Sequence, residues 1–186
     1  HAETIYKSED ITCAEGMCTE KNTKNPLNGS LKRYYDNGNL YRDLPFKNGK
    51  RNGISRQYYK NGKLQREAPY KDGKCDGMAK VYYESGKIEE EIPFKNDKKW
   101  GTSKWYYENG KLRQEEPFVN GKPHGDTRSY YKNGKLQAEG SFKDGTIDGV
   151  VKQYYESGTL KEETHYKDMK QHGTSKLYYQ NGKLKE

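Results

Sequence analysis

Long apolar stretches are missing from this sequence, and apolar side chains are few. Leu, Ile, Val and Phe account for only 24 of the 186 residues, whereas charged residues make up 33% and the formal net charge is +8. A chain of this composition buries too little apolar area for a thick conventional core. No run approaches the ~18 apolar residues of a membrane-spanning helix. The sequence also shows no P-loop, dinucleotide-binding fingerprint or nucleophile elbow, so we expect no cofactor, no catalytic residues and no enzyme activity.

Cysteine is equally scarce, with three residues in the chain. Cys13 and Cys18 can form a small disulfide loop in an oxidising compartment or remain two free thiols, and the sequence leaves both open. A single C-x4-C pair lacks the second ligand pair of a zinc site, so no metal is expected. Cys75 is interpreted as a residue of a turn region and not as a nucleophile.

Tyrosine, in contrast, is abundant, and 14 of its 18 copies form pairs that recur with a fixed period. Seven tyrosine pairs follow one another at intervals of 24 residues without an insertion, and a glycine lies on each side of every pair. Such a period indicates a repeat architecture. The pairs are at residues 34–35, 58–59, 82–83, 106–107, 130–131, 154–155 and 178–179.

Each repeat carries two turn signals between strand-like segments. Asn61-Gly62 predicts a type I′ hairpin turn, in which both central residues have positive φ. Asn48-Gly49 and Asp72-Gly73 predict a second tight turn in each repeat. We therefore predict an all-β fold, an elongated single-layer antiparallel β-meander of tandem 24-residue hairpins. Residues 29–186 hold six full repeats and one partial repeat, and residues 1–28 form a non-repeat segment in which residues 2–6 add a capping strand.

The turn also predicts a register. With Asn61 and Gly62 central, Tyr59 faces Leu64 and Arg56 faces Glu67. The same arithmetic places a basic residue opposite an acidic one in all six complete repeats, which supports the alignment because a slip of one residue would separate the partners onto opposite faces. The predicted structural ion pairs are Lys32–Asp43, Arg56–Glu67, Lys80–Glu91, Lys104–Glu115, Arg128–Glu139 and Lys152–Glu163.

Side-chain alternation assigns the two tyrosines of a pair to opposite faces. The first lies with the basic and acidic residues, and the second packs beside the Leu with its hydroxyl in water. Two symmetric two-residue turns would match residue i to i+22, so a period of 24 requires a shear or a bulge. Because proline cannot donate to an interior ladder, the bulges are predicted at the prolines. These are Pro45, Pro69, Pro93 and Pro117.

The phrase "GTSKWYYENGKLRQEEPFVNGK" (101–122), with its parallels along residues 29–186, resembles the bacterial variant of the MORN repeat. The resemblance implies a β-hairpin repeat fold and a non-catalytic role. Bacterial members often carry an antitoxin label, whereas eukaryotic relatives are linked to membranes, phosphoinositides and protein scaffolding. The period of 24 and the lack of a G-x-Y-x-G-x-W core depart from the eukaryotic pattern, which argues against a lipid-binding role.

Two functions fit these features. The first is a non-enzymatic scaffold for protein–protein binding, including antitoxin-like neutralisation of a partner, and the second is an exported envelope or surface protein that binds cell wall, glycan or a host ligand. Export is slightly favoured over a cytoplasmic location, although an artificial boundary at His1 explains the missing Met equally well. Basic residues are spread over turns and ion pairs, which argues against nucleic acid, and an open final strand permits an edge-to-edge homodimer. The candidate binding residues are Tyr82, Trp100, Trp105, Tyr106 and Tyr130, and specificity is assigned to the residue that precedes each tyrosine pair.

Overall fold

The computed structural model describes residues 4–185, and these form two units. The first unit comprises residues 4–88 and 93–98, and the second comprises residues 89–92 and 99–185. Both are built from short antiparallel strands, and the only helix in the described residues is a 3₁₀ turn at Ser8–Asp10. The chain is therefore all-β and made of tandem hairpins, as the repeat predicts.

The strands repeat with the period of the sequence: a six-residue strand, an eight-residue strand and a two-residue strand. The first unit contains Ile5–Tyr6, Ile11–Ala14, Met17–Glu20, Gly29–Tyr34, Leu40–Lys47, Lys50–Arg51, Gly53–Tyr58, Leu64–Lys71, Lys74–Cys75 and Gly77–Tyr82. The strands Ile88–Lys95 and Lys98–Lys99 contain the division between the units. The second unit contains Gly101–Tyr106, Leu112–Val119, Lys122–Pro123, Gly125–Tyr130, Leu136–Lys143, Thr146–Ile147, Gly149–Tyr154, Leu160–Lys167, Lys170–Gln171 and Lys176–Leu177.

The turn after each tyrosine pair differs from the predicted type I′ turn. Gly62 has a positive φ of 84°, but Asn61 does not belong to the non-glycine residues with positive φ. The Gly62 N–H donates to the Tyr59 carbonyl, so Lys60 and Asn61 are the central residues. The Asn61 side chain instead accepts the N–H of Lys63 at 3.0 Å, which explains why asparagine recurs at this position. The prediction of a type I′ turn here was wrong.

The second turn of each repeat is the one with type I′ character. Asn48 and Gly49 have φ values of 49° and 75°, and Asp72 and Gly73 have values of 50° and 89°. Both central residues of each turn are thus left-handed, as a type I′ turn requires.

The hairpin register agrees with the prediction except next to the first turn. Arg56 lies opposite Glu67, but Leu64 lies opposite Tyr58 and not opposite Tyr59. A bulge between Gln57 and Tyr58 accounts for the shift, because it leaves Gln65 without a direct partner. This bulge recurs in the second unit, for example between Trp105 and Tyr106.

Two symmetric two-residue turns would give a period of 22, so each repeat contains two extra residues. These lie in the strand opposite the proline and not at the proline itself. Pro69 is an ordinary member of its strand, with Ile54 as its partner on one side. On the other side the N–H of Asp76 donates to the Pro69 carbonyl at 3.0 Å, and the two-residue strand Lys74–Cys75 is interrupted there before Gly77 begins the next strand. A Cβ on Gly77 would approach Pro69 Cγ to 2.8 Å, so the proline ring closes over this break.

The N-terminal segment adds a small cap to the first unit. Ile5–Tyr6 pairs in parallel with Ser30 and Leu31, so the expected short strand is present within residues 4–6, and residues 2 and 3 lie outside the described part. Strands Ile11–Ala14 and Met17–Glu20 form a separate two-stranded sheet. The buried side chains Tyr6, Ile11, Cys18, Leu27 and Leu31 form one apolar cluster.

The glycine of the first turn can be tested by a pair of valine substitutions. Gly110 has a φ of 85° with no atom within 4 Å of a built Cβ, so Gly110→Val introduces backbone strain and no clash. We expect it to cost about 1–2 kcal/mol, because left-handed backbone is unfavourable for a β-branched residue. Arg113→Val, in the adjoining strand, should cost less. Equal melting temperatures for the two variants would contradict the assigned turn.

Candidate functional site

In four of the seven pairs, the hydroxyl of the first tyrosine donates a hydrogen bond to a glutamate of the preceding hairpin. The hydroxyl of Tyr82 donates to Glu67 at 2.7 Å, and that of Tyr130 donates to Glu115 at 3.0 Å. Tyr106 donates to Glu91 at 2.9 Å in the same way. The face that carries these residues is called the carboxylate face below. Three of the candidate binding residues, Tyr82, Tyr106 and Tyr130, thus have their hydroxyls committed inside the sheet.

Burial and these carboxylates together change the ionisation of the tyrosines. Burial, followed by the hydrogen bond to Glu91, raises the pKa of Tyr106 to about 12, and burial with Glu139 does the same for Tyr154. Burial, together with Glu115, also raises the pKa of Tyr130. At neutral pH these hydroxyls therefore remain hydrogen-bond donors.

Alkaline unfolding tests this arrangement. An unfolded tyrosine ionises near pH 10, so between pH 10 and 12 the folded chain keeps protons on Tyr106 and Tyr154 that the unfolded chain releases. Their contribution to the free energy of unfolding is complete below pH 10 and is lost as the pH rises to about 12. The double variant Tyr106→Phe/Tyr154→Phe should lose stability less steeply over this range in urea titrations. Parallel pH dependences of the variant and the parent chain would contradict the hydrogen bonds.

The first repeat lacks one of these bonds because an aspartate replaces the glutamate. Asp43 Oδ1 is buried without a hydrogen-bond partner, and the described contacts of Tyr58 include no bond from its hydroxyl. Asp43 stands 15 residues before Tyr58, as Glu67 stands 15 residues before Tyr82. The aspartate side chain is one methylene shorter and does not reach.

Replacing Asp43 by glutamate is therefore expected to stabilise the first unit. The new bond to Tyr58 should raise the free energy of unfolding by about 1 kcal/mol, which denaturant titration can measure. The same substitution in a Tyr58→Phe background should give no gain, because the donor is absent. An equal gain in both backgrounds would show that the longer side chain acts by another route.

The second tyrosine of a pair connects successive repeats through its hydroxyl. Tyr35 donates to the carbonyl of Tyr58 at 2.7 Å, and Tyr131 donates to the carbonyl of Tyr154 at 2.6 Å. The sequence led us to expect these hydroxyls in water, and that expectation was wrong. The bond satisfies a carbonyl next to the bulge, where the regular ladder is interrupted.

Five of the six predicted ion pairs are seen as Cα partners, and two of these five close to within 4.0 Å. The Cα partners include Lys32–Asp43, Arg56–Glu67, Lys104–Glu115, Arg128–Glu139 and Lys152–Glu163. Lys80 lies opposite Glu67, and Glu91 lies opposite Lys104. Arg56 approaches Glu67 to 3.9 Å and Arg128 approaches Glu139 to 3.7 Å. Exposed pairs of this kind contribute about 0.2–1 kcal/mol, so they align the strands more than they stabilise them.

The opposite side of the sheet, called the small-residue face below, is built differently. Apart from Leu31 in the first repeat, the buried side chains of its central row are short, among them Ser55 and Ala68 in the first unit and Ser103 and Thr164 in the second. On this face, two other residues of each repeat flank the short side chains. One is the aromatic residue near the second turn, and the other is the residue that precedes the tyrosine pair. The latter residues form the variable row: Arg33, Gln57, Val81, Trp105, Ser129, Gln153 and Leu177.

The two candidate tryptophans occupy different positions. Trp105 is half-buried in the variable row, opposite Glu90 and Gln114, with the ammonium of Lys99 at 5.6 Å from its ring centroid. Trp100 is 42% exposed and lies just before the glycine that starts the next strand. Because Tyr106 points to the carboxylate face, Trp105 and Tyr106 belong to opposite surfaces. The five predicted binding residues therefore do not form one patch.

The cysteines have structural positions. Cys13 and Cys18 are bonded to each other in the N-terminal two-stranded sheet. Cys75 is a free thiol that is 5% exposed and packs with Ala68 and Ala79. Burial, followed by the nearby charge of Asp97, raises the pKa of the Cys75 thiol. The thiol is thus protonated and enclosed.

Groups that could hold a metal are absent from residues 4–185, in which no three His, Cys, Asp or Glu side chains come together. Over the same range no helix is long and apolar enough to cross a membrane.

A set of arginines on the small-residue face of the first unit was not identified from the sequence. The available signal was the register itself, which places Arg33 opposite Arg42.

Comparison with known proteins gives a family and little more. No curated protein matches the chain. The chain shares 14% identity with a crystal structure of a GtfA/B complex bound to UDP and GlcNAc, over 68% of this chain and 22% of that chain, with a TM-score of 0.24. The family described as MORN repeat variant matches residues 27–48, 51–72, 76–96, 101–120, 123–144, 147–168 and 171–186. Since these seven matches cover more than half of the sequence, the chain belongs to the MORN repeat variant family.

Proposed function

We propose that this chain is a non-enzymatic scaffold that binds a protein partner on its small-residue face. MORN repeats are a non-catalytic repeat type that commonly binds proteins or membranes. One observation carries the choice of face. The residues that recur in every repeat make contacts within the sheet. In the variable row, by contrast, the residue type differs from repeat to repeat while its position on the face stays the same.

The composition of the row supports a protein as the partner. In the second unit it offers Trp105, Ser129, Gln153 and Leu177, without a basic residue among them. A nucleic-acid site needs a continuous basic stripe, and the row does not provide one there. Tryptophan, tyrosine and arginine are enriched among the residues that contribute most at protein interfaces, and the row supplies Trp105 and Arg33.

Two finer roles remain predictions. Neutralisation of a partner toxin is one form that binding would take, and an edge-to-edge pairing of two copies is a second mode of association. The alternative, an exported protein that binds cell wall, glycan or a host ligand, is favoured by the Cys13–Cys18 disulfide, since such bonds persist in oxidising compartments.

Photo-crosslinking from both faces tests the proposal. Benzoylphenylalanine is placed at Gln57 and Gln153 in the variable row, and at Ile54 and Val150 on the carboxylate face of the same two strands. Ile54 and Val150 are 43% and 37% exposed, so the control positions are accessible. The probes are expressed in the native organism, and crosslinked protein is identified by mass spectrometry.

We expect one protein to be captured from Gln57 or Gln153 and not from the control positions. A complex rebuilt from the purified partner should weaken when the same row residues are substituted. Capture of equal strength from both faces, or capture of nucleic acid or lipid alone, would refute the proposed face and partner class.

A further inference from the structure

Four arginines lie together on the small-residue face of the first unit. Arg42, Arg51 and Arg66 line a cavity of about 180 Å³ whose floor includes Leu44 and Tyr70. Arg33 lies directly opposite Arg42 in the neighbouring strand. It also lines an adjoining cavity of about 260 Å³ together with Arg51.

These arginines have no acidic partner among residues 4–185. No carboxylate oxygen lies within 4.0 Å of the guanidinium groups of Arg33, Arg42, Arg51 or Arg66. Arg42 donates to the Gln57 side chain at 3.2 Å. The guanidinium of Arg51 lies 4.0 Å from the centroid of the Tyr70 ring. Like charges placed directly opposite each other in a sheet are destabilising, so the isolated chain bears a cost that an anion would remove.

An unsatisfied hydroxyl lies in the same cavity. Ser55 is 8% exposed and its Oγ has no hydrogen-bond partner. Ser103 and Thr127, at the same position in later repeats, also lack a partner, so the arginines are what distinguish this cavity. Ser55 lines the cavity together with Ala68 and the arginines. A buried hydroxyl without a partner is unfavourable, and the Ser55 hydroxyl would gain an acceptor if a carboxylate entered.

The second unit does not share this charge. The residues that correspond to Arg42 and Arg66 in its repeats are Glu90, Gln114, Ala138 and Glu162, none of them basic. Gln114 and Ala138 line a cavity of about 200 Å³ that contains no arginine. The basic cluster is thus a feature of the first unit and not of the repeat in general.

We propose that this cluster binds an acidic segment of the partner protein, with an apolar side chain in the cavity and flanking carboxylates on the arginines. The proposal rests on the scaffold function proposed above. Arg42, Gln57 and Arg66 lie on successive strands, so Arg42 and Arg66 are about 10 Å apart. Residues three apart in an extended segment are separated by about the same distance.

A carboxylate-bearing peptide suits the site better than a phosphate. The backbones of Arg42 and Arg66 are about 10 Å apart, a spacing that matches two carboxylates on an extended segment better than one phosphate group. The floor of Leu44, Ala68 and Tyr70 is apolar, and a cavity of about 150 Å³ is large enough to hold a benzene ring. Arginine binds carboxylates through two parallel hydrogen bonds, which fixes the orientation of the segment.

The test uses the full chain and a fluorescein-labelled peptide of four Glu-Phe-Gly triads, with a Gln-Phe-Gly peptide as the control. Arg42→Gln and Arg66→Gln are compared with Arg113→Gln, which makes the same charge change in the second unit. Gln114 occupies the position of Arg42 in a later repeat, so the fold accepts glutamine there. Far-ultraviolet circular dichroism checks each variant.

In fluorescence anisotropy we expect Arg42→Gln and Arg66→Gln each to weaken binding of the acidic peptide by tenfold or more, because each removes charge-assisted hydrogen bonds. Arg113→Gln should change the affinity less than twofold, and the glutamine peptide should bind at least tenfold more weakly. Equal losses for all three variants, or displacement of the peptide by inorganic phosphate or an oligonucleotide at comparable concentration, would overturn the proposal. If crosslinks from Gln57 and Gln153 persist in that case, the scaffold function stands and only the acidic partner is wrong.

Discussion

Leu31→Ala is expected to cost the first unit about 2–5 kcal/mol, the usual range for removing a fully buried leucine. Leu31 is 2% exposed and packs with Tyr6, Ile11 and Leu27. No other large apolar cluster supports the N-terminal segment, within residues 4–185, so the cavity left by the substitution has few side chains that could fill it. The strand Ile5–Tyr6 pairs directly with the strand that carries Leu31 and should detach with it.

The repeat provides its own control for this substitution. Leu31 occupies the position that Ala79 and Val151 occupy in later repeats, where no N-terminal segment covers the row. Val151 is only half-buried, so Val151→Ala should cost clearly less than Leu31→Ala.

Hydrogen exchange is the appropriate measurement, because in a repeat protein each repeat depends mainly on its neighbours and one global transition is not guaranteed. In Leu31→Ala the amides of Cys18 and Leu27 should exchange faster, while those of the strand Gly149–Tyr154 keep their rates. Unchanged protection of Cys18 would show that the cap does not depend on the leucine.

The period, the strand type and the hairpin register away from the first turn could be predicted from the sequence because the same pattern recurs in six full repeats and one partial repeat. Asn61-Gly62 illustrates the limit of local turn chemistry. The same dipeptide serves a type I′ turn and a turn in which only the glycine is left-handed, and the choice depends on the bulge at Gln57–Tyr58. A bulge results from interactions between strands, which a dipeptide does not encode.

The role of the residue before the leading glycine in three of the repeats was also invisible in the sequence. Asn28, Asp76 and His124 have different side chains, yet each accepts the N–H of the residue that opens the next second turn. The three side chains share only a hydrogen-bond acceptor atom at the same place in the repeat. Because three residue types supply it, the sequence shows no common residue at this position. Histidine at this position is therefore part of a turn contact.

The candidate site was the least predictable part because it depends on which residues share a face across strands. Tyr82 and Trp105 stood out as aromatic residues, but one bonds to Glu67 inside the sheet and the other lies on the opposite face. The arginine cluster contains no motif. It arises only when the register brings Arg42, Arg51 and Arg66 around one cavity.

The attachment of the N-terminal cap to the repeats can be tested at a single glycine. Gly49 lies in a type I′ turn, donates its N–H to Leu27 at 2.9 Å and accepts the N–H of Cys18 at 2.7 Å. A Cβ added here would lie 2.8 Å from the Cys18 carbonyl oxygen and 2.8 Å from Met17 Cγ. The Met17 side chain can move away, but the Cys18 oxygen belongs to the backbone of the N-terminal sheet.

Gly49→Ala should therefore both strain its own turn and displace that sheet. The matched control is Gly73→Ala, at the same position one repeat later, where φ is 89° and the nearest atom to a built Cβ is Lys50 Cβ at 3.8 Å. Both variants bear the ~1–2 kcal/mol of a left-handed alanine, and only Gly49→Ala adds a backbone clash of about 1–3 kcal/mol. In urea titrations followed by hydrogen exchange, Gly49→Ala should be the less stable variant and should expose the Cys18 amide, which Gly73→Ala leaves protected. If the two variants lose the same stability and keep the same protection, the two-stranded sheet does not rest on this turn, and the cap must be held by the cluster around Leu31 alone.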